Sequence, residues 1–173
     1  YLSTSKSKLV SQNNYKGFFW NPKKSEIDTN ALTGVEVIIH LAGANVAKKW
    51  TTAYKEEIIE SRVLSTQLLY QTLQKNSHQV KQIISASAVG IYPDSLTDIY
   101  HETDLDIDVS FLGNVVKQWE NEVSQFEKLE IIVSKIRIGI VLAKNGGALQ
   151  EMAKPIQYGV GAAFGSGEQY QSW

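Results

Sequence analysis

The sequence contains no cysteine, only three prolines and a single methionine among 173 residues. Without thiols, a disulfide framework and thiolate metal sites are excluded, and the absence fits a cytoplasmic protein. An excess of one charge is missing too, since 17 Lys and Arg stand against 18 Asp and Glu, for a formal net charge of −1. Binding nucleic acid needs clustered cations to neutralise phosphates, so no nucleic-acid partner is expected. No apolar run approaches the roughly 20 residues that span a bilayer. The first residues carry no signal-peptide core, and no membrane partner is expected. His40, His78 and His101 have no carboxylate or histidine partner at ligand spacing, so no metal site is expected. Internal repeats and low-complexity tracts are absent.

What is present is 43% hydrophobic residues, enough for one domain with a real core. Residues 35–42 form a short apolar run rich in β-branched side chains, closed by Gly43. That pattern predicts a strand buried on both faces. Thr51 or Thr52 can cap a following helix, along which Tyr54, Ile58, Ile59, Val63, Leu64, Leu68, Leu69 and Leu73 keep an apolar stripe. A second strand is predicted over 80–85, a second helix over 111–126, and a third strand over 130–142. Residues 1–4 read as the tail of a strand, and 18–22 as a short edge strand closed by Pro22. Strand, helix, strand, helix, strand, with helices long enough to be crossovers, predicts an α/β fold with a parallel sheet. A chain that opens in a strand and closes on Gly159, Gly161, Gly165 and Gly167 reads as the interior of a longer one.

In this order the residues become recognisable. Trp20-Asn21-Pro22, Glu26-Ile27-Asp28 and the run from Leu32-Thr33-Gly34 to Ala42-Gly43-Ala44-Asn45 are followed by Lys49-Trp50-Thr51 and Ser61-Arg62-Val63. Then come Ser85-Ala86-Ser87-Ala88-Val89-Gly90-Ile91-Tyr92, Arg137-Ile138-Gly139, Gly146-Gly147-Ala148-Leu149 and Gly165-Ser166-Gly167. The ordered set, collinear over nearly the whole chain, resembles the epimerase-like branch (NAD-dependent epimerase/dehydratase family) of the extended short-chain dehydrogenase/reductases. The resemblance implies a Rossmann-type doubly wound sheet that holds NAD(P), incomplete here at both ends. Residues 1–150 would be a partial dinucleotide-binding domain, and 151–173 the start of the substrate-side region. The glycine-rich phosphate-binding turn of such folds is not in this sequence and would lie upstream of Tyr1.

The same resemblance implies a site. The residues after the second strand would meet the adenosine ribose, where an acid favours NAD and basic residues accommodate the 2′-phosphate of NADP. The segment Ser3-Thr4-Ser5-Lys6-Ser7-Lys8 has hydroxyls and two lysines but no acid, so Ser5 and Lys6 become cofactor-binding candidates and NADP is favoured over NAD. A solvated loop is the other reading. Leu41, Ala42 and Gly43, at a strand's carboxyl end, and Ser85 complete the cofactor set. Ser87 is the catalytic candidate, because a hydroxyl can donate to a carbonyl or accept from an alcohol; capping its own strand is the alternative.

The Tyr-x-x-x-Lys pair that would complete the chemistry is missing, since no tyrosine has a lysine four residues on. Tyr92 is the candidate substitute, with packing beside the cleft as its alternative role. Arg62 and Lys55 read as exposed helix charges, Trp119 as helix-to-sheet packing and His40 as a hydrogen-bonded structural residue. Arg137 lies in an apolar strand and needs a partner, for which Glu102 is the candidate. Two functions follow: an NAD(P)-binding oxidoreductase or epimerase-like protein exchanging hydride with a small carbonyl or nucleotide-sugar substrate, or a catalytically degenerate NADP(H)-binding sensor or scaffold. Oligomeric state is left open.

Overall fold

The computed structural model describes residues 1–163 and 165–173. Its centre is a parallel three-stranded sheet of β4 (Val37–His40), β5 (Gln82–Ala88) and β6 (Ile132–Ile138), in the order β4-β5-β6. Two helices make the crossovers, α1 (Thr52–Lys75) and α2 (Phe111–Ser124). Thr51 caps α1 by accepting from the Tyr54 N–H at 3.2 Å, and Ser110 caps α2 by accepting from Gly113, each satisfying an orphan donor of the first turn.

A second small sheet precedes these elements. β1 (Leu2–Ser3) pairs in parallel with β2 (Phe18–Asn21), which pairs antiparallel with β3 (Glu26–Ile27). The segment predicted as an edge strand is therefore bonded on both sides, and only a pairing across distant sequence could reveal that. At the other end Ala148–Gln157 forms α3, with Pro155 inside it. This helix was not anticipated, and it crosses the expected boundary at 150.

Strand limits shift in one consequential way. β5 runs on to Ala88, so Ser87 lies within the strand instead of after it. Register aligns His40 with Ser85, Ser85 with Lys135 and Ser87 with Arg137. All of these side chains share the sheet face that α1 and α2 cover, by the two-residue alternation of a strand. The core lies in that layer, where Leu69, Leu73, Ile83 and Phe126 are fully buried and Trp20 of β2 joins them.

Candidate functional site

The carboxyl ends of β1 and β4 open into a cleft of about 600 Å³. Ala42, Gly43 and Ala44 line it where the chain leaves β4, and Ser3 and Thr4 where it leaves β1. Across from them stand Glu57 and Glu60 of α1, and Lys23 bridges to Glu60 with Nζ 2.8 Å from Oε2. In an open α/β sheet a crevice beyond the strands' carboxyl ends is where ligands bind, and the volume lies within the usual range for small-molecule sites. A second cavity, about 490 Å³, separates β1 from β4 and is lined by Leu2, Leu41 and Ala42 among others.

The expected residues divide between these places. Ala42 and Gly43 line the cleft and Leu41 the cavity beside it. Ser5 and Lys6 sit just past Ser3 and Thr4, with the Ser5 and Ser7 hydroxyls 2.9 Å apart and the Lys6 ammonium 5.0 Å above the Phe19 ring. Ser85 has no exposed surface, and its hydroxyl donates to the Ala86 carbonyl.

Ser87 belongs to a different constellation. It is buried, and its Oγ donates to Glu120 Oε1 at 2.5 Å. The same carboxylate receives Arg137 through Nε at 2.9 Å and Nη2 at 3.0 Å. Arg137 Nη1 donates to the Tyr92 hydroxyl at 2.5 Å, and that hydroxyl donates to the His101 carbonyl. Burial alone would raise the Glu120 carboxyl, but the hydrogen bonds from Arg137 and Ser87 outweigh it and hold it below the ordinary range. Arg137 is raised by the same bond. The partner of Arg137 is therefore Glu120; Glu102 offers only its backbone carbonyl, at 3.3 Å. A signal was available, because Glu120 is an acid on the apolar face of α2 formed by Val116, Trp119 and Val123. An acid there requires a buried cation.

His40 is a structural residue, as read. Its Nε2 lies 3.0 Å from Thr66 Oγ1 and 3.3 Å from Ser65 Oγ. Both hydroxyls already donate to backbone carbonyls of α1, so they accept from His40 and the proton sits on Nε2. Burial lowers its pKa to about 4, and the ring stays neutral.

Arg62 corrects the sequence reading. It is half-buried, donates to the Ile58 and Ala44 carbonyls, and lies 5.2 Å from the Trp119 ring centroid. Lys55 likewise lies over an aromatic ring, that of Phe111. Both are charges on helix positions that face another element, which spacing along one helix cannot show. Among the described residues no cluster of His, Asp or Glu could hold a metal ion, and no helix is long and apolar enough to cross a membrane.

A parallel sheet with crossover helices and a cleft at its carboxyl edge defines a Rossmann-type protein. The family model for the NAD dependent epimerase/dehydratase family matches residues 22–110, and the chain belongs to that family. It is 40% identical over 161 residues to an epimerase family protein of Staphylococcus aureus (strain MRSA252), covering 93% of this chain and 54% of that one. The chain thus spans about half the length of the curated relatives it matches. Among solved structures it resembles the human epimerase family protein SDR39U1 (isoform 2) with NADPH, at a TM-score of 0.74, 24% identity, and coverage of 99% of this chain and 55% of that one. It also resembles the nucleoside-diphosphate sugar epimerase from Corynebacterium glutamicum, at a TM-score of 0.73, 28% identity, and coverage of 92% and 35%.

Proposed function

We propose that the chain is the central part of an NAD(P)-dependent oxidoreductase or epimerase-like enzyme that binds the adenosine side of the dinucleotide in the cleft between β1 and β4. The carrying observation is that cleft, where Ser3 and Thr4 meet Gly43 and Ala44 beyond the strands' carboxyl ends. The residues present fit such a group, since hydroxyls face a glycine whose missing side chain lets backbone come close. Ala42 and Gly43 form the floor, and Leu41 lines the cavity beside it. Ser5 and Lys6 follow on the ribose side, and the lack of any acid from Ser3 to Lys8 supports NADP over NAD. Bound cofactor would supply the hydride acceptor and donor.

The protein's own groups then orient the substrate, a small carbonyl or nucleotide-linked sugar. Ser87 keeps acceptor lone pairs while its proton is given to Glu120, which suits it to receive a hydrogen bond from a substrate alcohol. Tyr92, held by Arg137, is the phenol nearest that network. Residues 151–173 begin the substrate-side region, and the protein works in the cytoplasm.

Titrating NADPH and NADH into the full-length protein by calorimetry tests this reading. NADPH should bind more tightly; binding of neither overturns the proposal. Given binding, Ser87→Ala should lower turnover across a panel of carbonyl and sugar-nucleotide substrates, and unchanged turnover removes Ser87 from the chemistry. Binding with no turnover on any substrate would mark a sensor instead.

A further inference from the structure

The loop that leaves β4 is held by two consecutive residues of α1. The Ala44 N–H donates to Ser61 Oγ at 2.8 Å, and the Ala44 carbonyl accepts from Arg62 Nη2 at 3.2 Å. Ser61 is itself anchored, donating to the Ile58 carbonyl at 3.1 Å, and Arg62 Nη1 donates to the same carbonyl at 2.9 Å. Both polar groups of one cleft-lining residue are thus tied to a single turn of helix. A short side chain and a planar guanidinium are what this needs, one to accept and one to donate.

The guanidinium is also enclosed. On one side lies Gly43, where an added Cβ would stand 3.0 Å from Arg62 Cζ and 3.1 Å from Nη2. On the other lies the buried Trp119 ring, 5.2 Å away. The Trp119 Nε1 has no hydrogen-bond partner among the described residues, so stacking on the cation, not a hydrogen bond, sets that contact. Arg62 forms no ion pair among the described residues, and burial pushes its pKa below the ordinary arginine value. A half-buried cation without an anion is costly, and what it does here is join the β4 loop, α1 and α2.

We infer that Ser61 and Arg62 are positioning residues that lock the Gly43–Ala44 loop in its dinucleotide-binding shape, with Gly43 required so that the guanidinium can lie against the loop. This rests on the proposed dinucleotide site. It adds that affinity for the cofactor is set from the helix side, by Ser61 at the cleft wall and by Arg62, which need not touch the cofactor.

The test uses the full-length protein, with NADPH calorimetry and amide hydrogen exchange on wild type, Arg62→Ala, Arg62→Lys, Ser61→Ala and Gly43→Ala. Losing one charged hydrogen bond should weaken NADPH binding about tenfold in Arg62→Ala, with partial recovery in Arg62→Lys. Exchange at the Ala44 amide should rise while the amides of α1 stay protected, which separates a loosened loop from a destabilised fold. Gly43→Ala should weaken binding more in wild type than in the Arg62→Ala background, because there the group its methyl displaces is gone and only its place in the cleft remains. If Arg62→Ala does not fold, Ser61→Ala carries the same exchange and binding comparison. Wild-type affinity within twofold in Arg62→Ala, or in Ser61→Ala where that variant stands in, overturns the clamp alone. Failure of wild type to bind NADPH or NADH overturns the site on which it rests.

Discussion

Glu120 of α2 and Arg137 of β6 meet as a two-pronged ion pair, Nε to Oε1 at 2.9 Å and Nη2 to Oε2 at 3.0 Å, inside the helix–sheet layer. The carboxylate is nearly enclosed and also takes the proton of Ser87. One carboxylate therefore ties α2 to two neighbouring strands, and removing it would strand a cation inside the protein.

That arrangement predicts a large effect from a small change. Glu120→Gln should cost about 3 kcal/mol of unfolding free energy, the usual range for breaking one partner of a buried pair. Ser87→Ala, which removes only a donor, should cost about 1 kcal/mol. Denaturant melts of the three proteins check this; equal costs would mean that the charge is solvated. The carboxyl is held below its ordinary value of 4.5, so the wild-type advantage is present above that pH. It is lost as pH falls through the lower folded value, and Glu120→Gln should lack this acid loss.

His40 makes an independent pH prediction. Its folded pKa of about 4 lies below the ordinary 6.5, so the unfolded chain binds a proton first as pH falls. Its contribution is full above pH 6.5 and declines toward pH 4, by an amount on the order of 3 kcal/mol. His40→Gln should flatten stability across that window. The same slope in wild type and variant, measured by melts at pH 7, 6, 5 and 4, would assign the loss to other groups.

The sheet face opposite α1 and α2 carries Val37, Ile39, Ile132 and Ile136, each about half exposed or more. Parallel sheets are ordinarily covered on both faces, and among the described residues β4 has no strand partner on the side away from β5. The 173-residue chain by itself should bind a hydrophobic dye strongly, and more of it per mole than the full-length protein does. Equal dye fluorescence per mole of the two would show that nothing further packs on this face.

Much of the architecture was legible along the chain because it rests on local periods. The Thr51 cap with the stripe through Ile58, Leu69 and Leu73 is a helix by spacing alone, and Ile83–Ile84 is a strand by β-branching. Gly43 at a strand end reads equally as a tight turn, and only the family resemblance made it a cleft candidate. Side-chain partners were not. Whether Arg137 meets Glu102 or Glu120 depends on the register that sets Ser87 beside Arg137 and on how α2 lies over β6.

What the amino-acid sequence determined by itself is the family, the order of strands and crossovers, and the absence of thiol chemistry and of a tyrosine–lysine pair. The tertiary structure alone decided that Phe18–Asn21 is an inner strand, that Ser85 and Ser87 face the helices, and that Arg62 is enclosed between Gly43 and Trp119. The physical reason is range. Backbone conformation answers to neighbours within a few residues, whereas burial and pairing of a charge answer to whichever element the packed layers bring against it.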